Sequence, residues 1–123
     1  MKKLVLIVDD SGTVRQQVSM ALQEAGFETL EATDGREGLL AINSKKDISM
    51  VISDVNMPNM NGLEMLEAIK AKPENRQLPI IMLTTEGQPA IMKRAKEVGA
   101  AGWIIKPFNA GQLVATAKHL TKA

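Results

Sequence analysis

Four short apolar runs, each cut off by a polar residue, limit what this chain can fold into more than any other feature. Leu4-Val5-Leu6-Ile7-Val8 stops at Asp9-Asp10, Val51-Ile52-Ser53 at Asp54, Ile80-Ile81-Met82-Leu83 at Thr84-Thr85, and Gly102-Trp103-Ile104-Ile105 at Lys106-Pro107. Runs this short, without alternation and bounded by turn residues, read as strands covered on both faces, which is the environment of a parallel sheet. Phe27 to Ala32 alternates instead, as a half-exposed edge strand does.

Helical spacing fills the intervals. Ser11-Gly12-Thr13 opens a helix with Val14, Val18, Ala21, Leu22 and Ala25 on one side, and Gly26 stops it. Thr33-Asp34-Gly35 turns into a second helix whose Leu39, Leu40 and Ile42 are expected to face inward, ending near Ser44. Asn61 is placed to cap a third, with Leu63, Leu66 and Ile69, closed off by Pro73-Glu74-Asn75-Arg76. Pro89 suits the first turn of a fourth, which Gly99 ends, and Asn109 caps a last one carrying Leu113, Val114, Ala117 and Leu120. Five strands alternating with five helices predict an α/β fold, a doubly wound parallel sheet with right-handed crossovers. With the first strand central, the common order for five strands is 2-1-3-4-5.

Composition removes several classes of function. Fifteen basic and fourteen acidic residues leave a net charge of +1, which argues against nucleic acid or an anionic membrane as partner. The absence of cysteine excludes disulfides and thiolate metal sites, and it agrees with a reducing cytosol. The apolar stretch after Met1-Lys2-Lys3 is too short for a signal peptide and runs into two aspartates. The expectation is a soluble cytoplasmic protein of one domain over residues 1–123.

Parallel strands end at one edge, so Asp9, Asp10, Asp54, Thr84 and Lys106 should converge there, with the acids over the gap between the first and third strands. That gap is the topological switch point where such folds bind ligands. Alone, Asp54 would pass for a turn residue and Lys106 for an ordinary strand-end lysine; together they suggest a site. Crowded carboxylates call for a cation, and an all-oxygen donor set suits Mg²⁺. A carboxylate is also a nucleophile toward phosphorus. Mg²⁺ and Lys106 could supply charge to a phosphoryl group and Thr84 a hydrogen bond.

In this order, Asp9-Asp10, Asp54 with Val55-Asn56-Met57-Pro58 and Asn61-Gly62, Leu83-Thr84, Gly102-Trp103 and Lys106-Pro107-Phe108 resemble the receiver domain of two-component response regulators. Within that family the chain is similar to the single-domain chemotaxis members. The resemblance implies a flavodoxin-like (βα)5 fold, with Asp54 as phosphoacceptor. It implies a Mg²⁺ site of Asp9, Asp10, Asp54 and the backbone carbonyl of Asn56. Thr84 becomes the switch hydroxyl, Trp103 the switch aromatic, and Lys106 the phosphate-binding lysine before a cis peptide bond. Asn56 and Glu86 fall where the family tunes the lifetime of the phosphoryl group. Trp103 departs from the usual Tyr or Phe, and Asn61 stands where many members carry Asp.

Other residues are read more plainly. The eight Met serve as adaptable packing. His119 belongs to the solvated side of the last helix, and Lys93, Arg94 and Lys96 form a solvated helix face near the presumed partner surface. A flavin or nucleotide carrier on this fold would need an anion-accepting loop after the first strand, where this chain has Asp9-Asp10. A stand-alone phosphohydrolase would need turnover on free substrates. The expected function is a monomeric phosphorylation switch and not an enzyme, catalysing only its own phosphorylation and dephosphorylation. Its donor would be a CheA-like histidine kinase and its target a flagellar motor switch protein or another phospho-dependent partner. The alternative is a phosphorelay intermediate. No output domain is expected to follow.

Overall fold

Every residue of Leu4–Val8 (β1) is buried, and so is every residue of Ile80–Thr84 (β4). The computed structural model describes residues 2–45, 47–85 and 89–122. Glu28–Ala32 (β2), Ile48–Asp54 (β3) and Gly102–Ile105 (β5) complete a sheet of five parallel strands in the order β2-β1-β3-β4-β5. The helices are Gly12–Glu24 (α1), Gly35–Ser44 (α2), Gly62–Lys70 (α3), Pro89–Val98 (α4) and Ala110–Thr121 (α5).

The unbroken apolar runs serve two cores at once. Val5 and Ile7 point to one face of the sheet, with Ile52, Leu83, Val18 and Leu22 of α1 and Leu113 of α5. Leu6 and Val8 point to the other, with Val51, Met82 and the Met65, Leu66 and Ile69 side of α3. A strand with period-two side chains and helices on both sides has no solvent face, which is why these runs do not alternate. Each fully buried Leu or Ile contributes roughly 1.5–3 kcal/mol by leaving water.

The caps fall where short polar side chains stand before the helices. Ser11, Asp34, Asn61 and Asn109 each accept a hydrogen bond from the backbone N–H three residues on. At α3 the bond is reciprocated, because the Glu64 carboxylate accepts from the Asn61 N–H. A 3-10 turn at Pro73–Asn75 follows α3. There the half-buried Lys70 ammonium donates to the carbonyls of Arg76 and Leu78 at 3.1 and 2.6 Å, and burial lowers its pKa.

One inward-facing expectation fails. Leu40 is 66% exposed, whereas Ile42 is buried and Leu39 half-buried. Gly35, Gly38 and Ile42 define the buried side of α2, and at about 100° per residue Leu40 lies well round from it. Gly38 is there because Met65 of α3 and Val8 occupy the space a Cβ would need.

Candidate functional site

The switch point lies between β1 and β3. From β1 the chain crosses to β2 on one side and then returns to β3 on the other, so the loops after β1 and β3 diverge and leave a crevice at the carboxyl edge. Carboxylate oxygens of Asp9, Asp10 and Asp54 lie within 4.8 Å of one another there. Asp9 and Asp54 are buried and Asp10 is exposed.

Lys106 reaches this group from the end of β5. Its ammonium is 3.1 Å from Asp9 Oδ2 and 3.4 Å from Asp54 Oδ1. Its backbone N–H donates to the Thr84 carbonyl at 2.6 Å, which ties it to the end of β4, and the Lys106-Pro107 peptide is cis. Asp9 is further held by the Ser11 N–H on Oδ1, and Asp54 by the Val55 N–H on its own Oδ1 at 2.8 Å. Burial, and next the charge of Asp9, push the Asp54 pKa above the usual carboxylate value, while Lys106 and the Val55 N–H offset part of that rise.

With all three acids ionised, one ammonium leaves an excess of two negative charges in the crevice. Among the described residues the ligand atoms that converge here are carboxylate oxygens, and a buried carboxylate whose neighbours disfavour its charge gains from a nearby cation. Both properties fit a hard divalent ion such as Mg²⁺. Asp9, Asp10 and Asp54 would hold it.

The remaining expected residues fall around this group. Thr84 is buried at the end of β4, and its hydroxyl has no hydrogen-bond partner among the described residues. Asn56 is exposed in the loop after β3. Trp103 pairs with Met82 across β4 and β5 and is half-buried against the core beneath α3 and α4, so it is both a packing residue and close to solvent. Glu86 lies outside the described residues. His119 is exposed on α5, and so are Lys93, Arg94 and Lys96 on α4, where Arg94 pairs with Glu67 at 2.9 Å.

Several residues that build the site have no role in it that the sequence alone reveals. Gly62 packs so tightly on the Asp54 carbonyl that a Cβ would collide with it, and its N–H donates to the Val55 carbonyl. The sequence marks Asn61 as a cap and Asn61-Gly62 as part of the family motif, but not this contact; a glycine directly after a cap and opening a helix is the available signal. The loop is also fastened to the start of α2. Asn59, at φ 66°, donates from its side chain to Asp34 Oδ2 at 2.7 Å, and the Gly35 N–H donates to the Met60 carbonyl at 2.9 Å. The Asn59 bond and then the Glu37 N–H lower the Asp34 pKa. Arg15, on α1, donates to the Asp9 carbonyl at 2.7 Å.

A doubly wound sheet with an acid cluster and a strand-end lysine at its switch point defines a class of signalling domain. The family described as Response regulator receiver domain matches residues 5–118, and the chain belongs to it. Receiver domains of this family act as phosphoacceptor switches and not as conventional enzymes.

More particularly, this is a CheY-like receiver, closely related to chemotaxis CheY proteins. It is 39% identical over 106 residues to chemotaxis protein CheY1 of Helicobacter pylori (strain J99), spanning 85% of this chain and 86% of that one. Over 106 residues it is also 39% identical to a chemotaxis protein CheY homolog of Campylobacter jejuni (strain 81-176), spanning 85% and 82%. Chemotaxis protein CheY4 of Vibrio cholerae has the same fold, with a TM-score of 0.90, 43% identity and coverage of 98% of this chain and 99% of that one. Among the described residues, no helix is long and apolar enough to cross a membrane.

Proposed function

We propose that Asp54 accepts a phosphoryl group from the phosphohistidine of a CheA-like kinase, in a Mg²⁺-dependent reaction, and that the modified protein then binds a separate target in chemotaxis signalling. The observation that carries this reading is the Lys106 ammonium set between the Asp9 and Asp54 carboxylates at 3.1 and 3.4 Å. Such a cation is aimed where a phosphoryl oxygen bonded to Asp54 would sit.

Asp54 Oδ1 already receives the Val55 N–H and faces Lys106, so Oδ2 is the oxygen left to attack. Attack forms an O–P bond and breaks the P–N bond of the phosphohistidine; the imidazole leaves with the electron pair and takes up a proton. Transfer of this kind needs position and charge neutralisation more than covalent assistance. Lys106 neutralises one phosphoryl oxygen, and the Thr84 hydroxyl, without a partner among the described residues, donates to another. Mg²⁺ bound by Asp9, Asp10, Asp54 and the Asn56 carbonyl would neutralise charge on the transferring group.

The similarity to chemotaxis proteins supports a flagellar motor switch protein as the target. The test is incubation with Mg²⁺ and a small phosphodonor, followed by intact mass. One acid-stable, base-labile phosphoryl adduct is expected, absent without Mg²⁺ and absent from Asp54→Asn; an adduct that persists in that variant refutes the assignment. Capture by a motor switch protein, as against a histidine phosphotransfer domain, then separates motor output from a phosphorelay.

A further inference from the structure

The edge strand β2 contributes no side chain to the acid cluster, yet it holds the backbone on which two of the acids stand. The Asp9 N–H donates to the Ala32 carbonyl at the end of β2, at 3.1 Å. On the other side of the same residue, the Asp9 carbonyl accepts from Arg15 Nη1 at 2.7 Å. Arg15 in turn is anchored to β2, with Nε 3.1 Å from Glu31 Oε1, and its side chain is only 18% exposed. One guanidinium therefore bridges the Asp9-Asp10 peptide and the edge strand through two separate N–H groups, held at the fixed spacing and common plane of a fork that a freely rotating ammonium lacks.

We propose that Arg15 is a positioning residue for the metal site. By gripping the Asp9 carbonyl it sets the plane of the peptide that joins Asp9 to Asp10, and so the direction in which the Asp10 carboxylate leaves the backbone. Asp10 is the exposed acid of the three, and among the described residues no hydrogen bond or ion pair holds its side chain, so the peptide plane is its main constraint. Glu31 keeps the guanidinium at the carbonyl and away from the carboxylates that would otherwise attract it. The proposal rests on the reading of the cluster as a Mg²⁺ site.

Charge and position make opposite predictions, which renders the role testable. Arg15 is a cation beside an anionic site, so if it acted by charge alone its removal would tighten Mg²⁺ binding. A positioning role requires the reverse. The measurement is the Mg²⁺ dissociation constant of the unphosphorylated full chain by calorimetric titration, alongside thermal midpoints in chelator. Arg15→Met, which keeps the aliphatic stem, should raise the constant about tenfold, the usual scale for residues that orient metal ligands. Arg15→Lys keeps the charge and loses the fork; it should fold as the wild type does and still bind several-fold more weakly.

Unchanged or tighter Mg²⁺ binding in Arg15→Lys overturns the proposal, whatever becomes of the methionine variant. The underlying site is tested apart from it. If the wild type binds no Mg²⁺, or Asp10→Asn binds it equally well, the cluster is not a metal site and the positioning role falls with it. If Asp10→Asn loses binding while both Arg15 variants retain it, only the positioning role fails.

Discussion

Lys106 and Asp9 stand 97 positions apart in the chain and 3.1 Å apart in space, one at the end of β5 and the other at the end of β1. The strands themselves are not neighbours, since β3 and β4 lie between them. The pair meets because Lys106 reaches back across the strand ends, over Asp54, which it contacts on the way. A site joined over such a span is sensitive to the ionisation of its members and to the backbone that carries them.

Asp54 carries the first prediction, in the protein without metal. Its pKa is raised, by burial first and by Asp9 next, so between the ordinary carboxylate value of 3.8 and the raised one the native state holds more protons than the unfolded state. Stability therefore falls as pH rises through the raised pKa, and the favourable contribution is fully present only below the unfolded value. Asp54→Asn should remove this slope and be the more stable protein at neutral pH, on the order of 1 kcal/mol, with the difference shrinking towards pH 4. Thermal midpoints from pH 4 to 7 in chelator check this; parallel curves for the two proteins would contradict it.

Mg²⁺ should act as a ligand of the native state. At ten times its dissociation constant it should stabilise the wild type by about 1.4 kcal/mol. Asp10→Asn should lose most of that gain. Without metal the same variant should be more stable than wild type by about 0.5 kcal/mol, a small effect because Asp10 is exposed and screened. Equal Mg²⁺-dependent shifts in midpoint for the two proteins would mean that the acids hold no metal.

Gly62 should tolerate no side chain. A Cβ there meets the backbone carbonyl of Asp54 and the end of Met82, and the carbonyl cannot move without dragging β3. Gly62→Ala should cost about 3 kcal/mol, the upper part of the overpacking range. Its phosphoryl acceptance should also fall below that of a core variant matched in stability, such as Ile69→Ala at the buried side of α3. Denaturant unfolding and intact mass measure the two effects.

Thr84 and Trp103 offer a readout of signalling. A hydroxyl drawn towards a new phosphoryl group would vacate space at the end of β4, and Trp103 on the adjacent strand, half-buried in this structure, is expected to turn further in. Acrylamide quenching of Trp103, the only tryptophan, should drop on phosphorylation. Thr84→Ala should accept the phosphoryl group and show much less of this protection. Full protection in that variant would remove Thr84 from the coupling.

The sequence by itself determined the elements and their order. Strands with two covered faces must be apolar throughout, helices must repeat near 3.6 residues, and caps need short polar side chains; all three rules act over a few residues. Strand ends were legible for the same reason, and with them Asp9, Asp54, Thr84 and Lys106 as edge residues. Leu40 shows the limit of periodicity: a run of neighbouring apolar residues does not say which of them faces the sheet, and the close packing of Gly38 on Met65 decided it. The expected order, with β3 beside β1, holds, but only the tertiary structure could decide that Lys106 spans to Asp9, that Gly62 lies on the Asp54 carbonyl, and that Arg15 ties the acid loop to β2. Each of these depends on where a distant segment comes to rest, and that is set by crossovers and packing across the whole sheet.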